Sequence, residues 1–165
     1  MKNFKTEIKW ALIFSLTTLL WMFLEKYLGL HDKYIAKQAI YTNLIAIPYI
    51  FLFYLAIKEK KHEYFKGVMT WQQGLISGGI MSVLIAILAP LVQYIVSMSI
   101  TPQYFKNVIS YTVESGSMTQ ESAQAYFSLK SYMIQSVFGS LAMGVVTSAI
   151  VSLFLKTPTR NKKKK

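Results

Sequence analysis

The stretch Gly74–Ile100, GLISGGIMSVLIAILAPLVQYIVSMSI, decides the fold of this protein. It lies inside a segment of thirty-nine residues, 67–105, that contains no Asp, Glu, Lys or Arg. A helix needs about 20 consecutive apolar residues to cross a bilayer, and an uncharged run of this length exceeds what one buried helix of a small soluble domain uses. The stretch therefore predicts a transmembrane helix.

The composition of the whole chain agrees with a membrane protein. Of its 165 residues, 53% are hydrophobic and 15% are charged, which indicates one domain with no separate soluble module. The formal net charge of +11 would suggest nucleic acid in a soluble protein. Here the basic residues lie between hydrophobic runs and in a terminal tail, so we expect a membrane surface and no nucleic acid as the partner. The absence of cysteine excludes disulfides, iron–sulfur clusters and thiol catalysis.

Three further hydrophobic runs complete a predicted all-α fold, a four-helix transmembrane bundle. The first run follows Lys2, Lys5 and Lys9 like a signal peptide, but no small-residue cleavage site comes after it, so we interpret it as a membrane helix. We expect a single integral membrane domain over residues 1–155 and a disordered, basic, cytoplasmic tail over 156–165. The predicted membrane helices are residues 8–29, 37–57, 74–100 and 131–155. Residues 101–130 are predicted to form short amphipathic helices at the membrane surface.

Small residues recur at every fourth position in two of these helices. Such spacing makes a smooth stripe on one helix face, which lets another helix approach closely in lipid. We therefore predict that the third and fourth membrane helices pack on each other, although glycine and serine are common in membrane helices in any case. The predicted packing residues are Gly74, Gly78, Ser82, Ala86, Ser140, Gly144 and Ser148.

The distribution of lysine and arginine predicts the orientation in the membrane. Residues 1–9, 58–73 and 156–165 hold thirteen of these side chains, whereas residues 25–38 and 101–130 hold five. Basic segments favour the cytoplasmic side. We expect both termini in the cytoplasm and residues 101–130 on the outer side of the membrane.

Four polar residues fall within the outer half of the predicted helices: Glu25, Asn43, Gln93 and Gln135. Polar groups are costly in lipid, and an ionisable one is a functional candidate. One hypothesis is an outward-opening polar cavity that binds a small ligand or ion, with Glu25 as its charge. Alternatively, the amides join helices by hydrogen bonds, and Glu25 marks a helix end near Lys33 or Lys37.

Enzyme motifs are weak in this chain. Both histidines, His31 and His62, are predicted to lie in loops on opposite sides of the membrane, and neither has a partner at zinc-ligand spacing. The sequence Gly74–Gly78 has one residue too many for an intramembrane serine nucleophile, and no histidine in the membrane could act as its base. We expect no enzymatic activity, no metal and no cofactor.

Several fragments together resemble a known family. They are Glu25–Asp32, Gln73-Gly74 with Ser77-Gly78, Pro90 with Gln93-Tyr94, Ile100–Phe105, Met118–Glu121 with Tyr126-Phe127, and Gly139–Val151. This combination resembles an uncharacterised bacterial family of small integral membrane proteins with four predicted membrane helices, known only as a domain of unknown function. The resemblance covers essentially the whole chain. It implies an inner-membrane location and supplies no activity or functional residues.

Two classes of function remain open at this point, and the sequence favours the first. The first is a non-enzymatic scaffold or accessory subunit that docks a larger membrane complex through a helix face. The second is a small transporter or ligand-binding protein with an outward-facing polar cavity, which at four helices would need to form a homo-oligomer to enclose a pathway. In either case the partners are the lipid bilayer and, at the basic tail, anionic lipid.

Overall fold

The computed structural model describes residues 4–158, and most of them are helical. The helices are α1 (Lys5–Tyr27), α2 (Ile35–Tyr41), α3 (Ala46–Glu63), α4 (Trp71–Ile95), α5 (Tyr104–Glu114), α6 (Gln120–Tyr126) and α7 (Leu129–Leu155). A 3-10 turn, Thr42–Ile45, joins α2 to α3, and a π-helical segment, Val96–Ile100, continues α4. No strand forms among residues 4–158. The predicted all-α fold is confirmed.

Four stretches of helix are long and apolar enough to cross a membrane: Lys5–Tyr27, Ile35–Glu63, Trp71–Ile100 and Leu129–Leu155. They run alternately up and down, as the predicted four-helix bundle requires. We call the end of the bundle where α1 begins and α7 finishes the terminal end. The opposite end, where α5 and α6 lie, is the cap end. The protein is thus a multi-pass membrane protein.

The second membrane helix is longer than its sequence suggests. It was expected to end at residue 57, but α3 continues to Glu63 through a run of charged residues. The continuation is stabilised because Lys60 turns inward, where its side chain is 6% exposed and pairs with Glu7 of α1 at 2.9 Å. Lys60 therefore anchors the two helices to each other.

The helices α4 and α7 form the tightest pair in the bundle, and their small residues alternate across the contact. Gly74 faces Ser152, Gly78 faces Ser148, and Gly144 faces Ser82. A methyl group added at Gly78 would lie 2.5 Å from the Cβ atom of Ser148, closer than side-chain carbons approach each other. Each glycine thus makes room for a serine of the other helix, as expected for close packing in lipid.

Proline breaks the regularity of the second membrane helix. Pro48 has no N–H group, so the carbonyl of Leu44 loses its helical partner, and the pyrrolidine ring crowds that carbonyl. The chain adopts the 3-10 turn Thr42–Ile45 at this point. Pro90 lies inside α4, and the helix continues through it before it widens into the π-helical segment.

The cap end is built from loops that fold back onto the bundle. Gly29 has a φ of +74°, and the N–H of Leu30 bonds to the carbonyl of Glu25 at 3.0 Å, so α1 ends in a Schellman turn. This reversal brings His31 back beside Glu25. Over the turn lies α5, where Asn107 donates a hydrogen bond to the backbone carbonyl of His31 at 3.0 Å. The predicted short helices in residues 101–130 are present as α5 and α6.

The chain after α7 begins differently from the predicted disordered tail. Thr157 donates its N–H to the carbonyl of Met69 at 2.8 Å, and its hydroxyl accepts from the N–H of Met69 at 3.0 Å. The segment that follows α7 is therefore attached to the loop before α4. Residues 159–165, the rest of the predicted tail, lie outside the described part of the chain.

Candidate functional site

A cavity of about 380 Å³ lies inside the bundle, and all four membrane-spanning helices contribute to its wall. On α4 the wall runs from Ile85 to Val96, a distance of about 16 Å along the helix axis. Phe14 of α1 and Phe53 of α3 form its deep end and are buried. The cavity therefore extends from the middle of the bundle toward the cap end.

The wall of the cavity changes character along its length. Near the middle of the bundle it is mostly apolar, with Phe14, Phe53 and Ile85 beside the hydroxyl group of Thr147. Toward the cap end it carries two amides, Asn43 and Gln93. Within residues 4–158, no charged side chain and no histidine contributes to it. A site with an apolar end and a neutral hydrogen-bonding end matches an uncharged amphipathic molecule.

The cavity opens sideways between α3 and α7. On one edge of the opening, Ile50 of α3 is 52% exposed, and on the other, Met143 of α7 is 65% exposed. Gly139 lies beside Met143 on the wall, and a Cβ atom added there would have no atom of another helix within 4 Å. Since this surface belongs to the membrane-spanning part of the bundle, the opening faces the lipid.

The two amides on the wall each use one hydrogen bond within their own helix. Asn43 donates to the backbone carbonyl of Ala39 at 2.7 Å, and Gln93 donates to the hydroxyl of Ser97 at 3.0 Å. An amide has two N–H donors and a carbonyl acceptor, so both keep further hydrogen-bonding capacity. Of the four predicted site residues, Asn43 and Gln93 are thus the two that line one cavity.

Glu25, another predicted site residue, lies outside this cavity in a cluster of its own at the cap end. It is 2% exposed, and its carboxylate contacts His31 at 2.9 Å and accepts a hydrogen bond from the indole N–H of Trp21. Its partner is thus His31 and not Lys33 or Lys37, the lysines considered from the sequence. The Schellman turn after α1 is the reason, because it returns the chain to α1 within six residues.

The ring of His31 is enclosed by the cap. Its side chain is 4% exposed, and the Tyr104 ring of α5 packs edge-on against it with 5.2 Å between ring centroids. Its Nδ1 atom is buried and has no hydrogen-bond partner in the structure described here. Burial raises the pKa of the Tyr104 phenol, whose hydroxyl lies 3.2 Å from that of Tyr132. The cluster joins α1, α5 and α7 at one point.

Gln135, the fourth predicted site residue, does not contribute to the cavity wall. Its side chain is exposed and donates to the hydroxyl of Ser131 one turn earlier in α7, at 2.8 Å. An amide that bonds within its own helix can lie on a lipid-exposed surface at the cap end. The four polar residues are therefore divided among three locations: the cavity, the cap cluster and the outer surface of α7.

A second buried charged cluster, at the terminal end, was not anticipated. Glu7 is 2% exposed, and its carboxylate contacts Lys60 at 2.9 Å and accepts a hydrogen bond from Ser77 at 2.7 Å. The cluster ties α1, α3 and α4 together. The sequence contains one indication of this cluster. Glu7 is the only acidic residue before Glu25, and it lies among lysines.

Comparison with known proteins identifies a family but no characterised relative. No curated protein and no solved structure matches the chain. One family model, described as "Protein of unknown function (DUF4199)", matches residues 9–157, which include nearly all of α1 and the whole of the other six helices. On this match, and with the four apolar helices expected from its sequence, the chain belongs to the DUF4199 family.

Proposed function

We propose that the protein is a non-enzymatic membrane protein that binds a neutral amphipathic molecule in the cavity between its four membrane helices. The observation that carries the proposal is the wall of that cavity, which is mostly aromatic and aliphatic at one end and has two amides at the other. Of the two classes considered from the sequence, this favours the ligand-binding one.

The sideways opening supports entry of the ligand from the bilayer. A molecule that is dissolved in lipid can pass between α3 and α7 without crossing the cap. Its apolar part would then contact Phe14 and Phe53, while a carbonyl or hydroxyl group would bond to Asn43 or Gln93. The absence of charge on the wall disfavours ions, because an unpaired charge in such a site has no compensating partner.

Photolabelling tests this proposal with a defined probe. The purified full-length chain would be irradiated with a long-chain primary alcohol that carries a diazirine, and the labelled residues mapped by mass spectrometry. We expect labels on the cavity wall that Ala89→Phe removes, since this substitution fills the space. Ile87→Phe is the matched control, because Ile87 lies on the same helix and is 68% exposed on the lipid side.

Two results would contradict the proposal. Labels spread evenly over the lipid-facing surface, or cavity labels that persist in Ala89→Phe, would mean that the cavity does not bind the probe. The alternative, a scaffold or accessory subunit that docks a larger complex through a helix face, would then be the better hypothesis.

The proposed location is the inner membrane of a bacterium, with the terminal end of the bundle in the cytoplasm. Thirteen lysines and arginines belong to the sequence segments 1–9, 58–73 and 156–165, which adjoin the helix ends at the terminal end, and five belong to segments 25–38 and 101–130, which adjoin those at the cap end. Basic segments remain on the cytoplasmic side during insertion, which supports this orientation. The cap and the Glu25–His31 cluster would then lie on the outer side.

A further inference from the structure

A second cavity, a groove between the first turns of α1 and the last turns of α3, lies at the terminal end of the bundle. Its volume is about 380 Å³, and Lys5 and Lys9 form one wall while Glu59 and Glu63 form the other. The buried Lys60 lies at its base. The groove is separate from the proposed ligand cavity and shares no residue with it.

The charges in this groove are only partly balanced by one another. Lys9 forms an ion pair with Glu59, and Lys60 forms one with Glu7. Lys5 and Glu63 have no ion-pair partner within residues 4–158. The groove therefore presents one uncompensated positive charge and one uncompensated negative charge on opposite walls.

We propose that this groove binds the phosphoethanolamine headgroup of a phospholipid. The phosphate would contact the ammonium group of Lys5, and the primary ammonium of the headgroup would donate hydrogen bonds to the carboxylate of Glu63. A zwitterion complements both charges at once. An anionic headgroup would satisfy Lys5 and be repelled by Glu63, and a quaternary ammonium has no N–H to donate.

The adjacent surface of α1 is suited to the acyl chains of that lipid. Lys5 and Lys9 are followed on the same helix face by Leu12, Leu16 and Leu20, at steps of three or four residues. These leucines are 56%, 56% and 63% exposed. One face of α1 thus changes from cationic to apolar in the direction in which a phospholipid changes from headgroup to chain.

Native mass spectrometry of the purified full-length chain tests this site. The protein in detergent would be offered equal amounts of phosphatidylethanolamine, phosphatidylcholine and phosphatidylglycerol with identical acyl chains. We expect phosphatidylethanolamine to be retained about threefold or more over the other two, as a few exposed charge contacts allow. Lys5→Gln and Glu63→Gln should each bring this ratio close to one.

The controls are charge changes outside the groove. Lys58→Gln alters an exposed lysine of α3, and Glu114→Gln alters an exposed glutamate at the cap end, so both should keep the preference. Soluble O-phosphoethanolamine in large excess should not displace the lipid, because it lacks the chains that contact Leu12 and Leu16. Displacement would mean that the site takes the free compound and not a lipid.

The proposal has a distinct signature in the glutamate variant. Glu63→Gln removes the negative charge that repels an anionic headgroup and keeps Lys5, so this variant should retain phosphatidylglycerol better than the unaltered protein does. Equal retention of all three lipids by the unaltered protein, or an unchanged ratio in both groove variants, would overturn the proposal. A preference of the unaltered protein for phosphatidylglycerol would also overturn it, in favour of an anionic-lipid site.

Discussion

Gly78 and Gly79 are adjacent in α4 but have opposite surroundings. A Cβ atom at Gly78 would meet Ser148 of α7, whereas one at Gly79 would have no neighbour within 4 Å. The same substitution at these two positions therefore separates the effect of helix contact from the effect of helix propensity.

We expect Gly78→Ala to destabilise the bundle and Gly79→Ala to leave it nearly unchanged. The first substitution forces α4 and α7 apart, at a cost of about 1–3 kcal/mol. The second changes only propensity and lipid contact, within about 1 kcal/mol. Apparent melting temperatures from size-exclusion chromatography of heated samples would show the difference. Equal melting temperatures would contradict the role of Gly78 in close packing.

The Glu25–His31 pair permits a comparison with an exposed ion pair of the same protein. The side chains of Glu25 and His31 are 2% and 4% exposed, whereas those of Glu59 and Lys9 are 21% and 48% exposed. Removing one partner of a buried pair leaves the other desolvated and uncompensated.

We predict that His31→Ala lowers stability by about 3 kcal/mol, because it leaves the Glu25 carboxylate buried with fewer partners. Lys9→Ala should lower it by at most about 1 kcal/mol, because water solvates the remaining Glu59. The measurement is again the melting temperature in detergent. A larger loss in Lys9→Ala than in His31→Ala would refute the structural role assigned to the cap cluster.

Among the structural elements, the 3-10 turn Thr42–Ile45 determines where Asn43 lies. The turn occurs one turn before Pro48, where a regular helix would need the missing N–H of the proline. A residue advances by 120° in a 3-10 helix and by about 100° in an α-helix, so the turn changes the direction of each side chain within it.

Pro48→Ala is expected to let the α-helix continue through this turn and to rotate Asn43 away from the cavity. Photolabelling of the cavity by the long-chain alcohol should then decrease severalfold. Pro90→Ala is the control, because Pro90 lies within α4 and is not part of the cavity wall. Unchanged labelling in Pro48→Ala would mean that the proline does not shape the site.

At the scale of the whole molecule, close packing and the cavity are two consequences of one arrangement. The small residues of α4 and α7 meet from Gly74 and Ser152 as far as Ser82 and Gly144, which brings the two backbones together at the terminal end. Gly144 also borders the cavity, which begins where this run of contacts stops. Glu7 and Lys60 hold α1 and α3 against the same end. The bundle is therefore tight at the terminal end and open toward the cap.

The proposed orientation predicts a simple labelling result in whole cells. The chain has no cysteine, so single cysteines can be introduced without background. With a membrane-impermeant maleimide, Thr119→Cys in the cap should react on intact cells. His62→Cys near the end of α3 should react only after permeabilisation. Both side chains are exposed in the structure, so access depends only on the side of the membrane. The reverse pattern would invert the orientation.

The features that could be predicted from the sequence are those that depend on a single helix and not on its neighbours. An uncharged run such as Gly74–Ile100 is suited to crossing lipid whatever surrounds it, because its side chains are apolar and its backbone hydrogen bonds are satisfied within the helix. The same applies to the four-residue spacing of Gly74, Gly78 and Ser82, which lie on one face by geometry alone. Family membership also followed from local fragments of the chain.

Only the tertiary structure decided which polar groups meet. His31 is the partner of Glu25 because a Schellman turn folds the chain back, and Lys60 is the partner of Glu7 although fifty-three residues separate them. Asn43 and Gln93 share a cavity, while Gln135 lies on the outside of α7. Pairings of this kind depend on the rotation of each helix about its axis. That rotation is set by contacts between helices, such as those of Gly78 with Ser148, and not by the periodicity of any single helix.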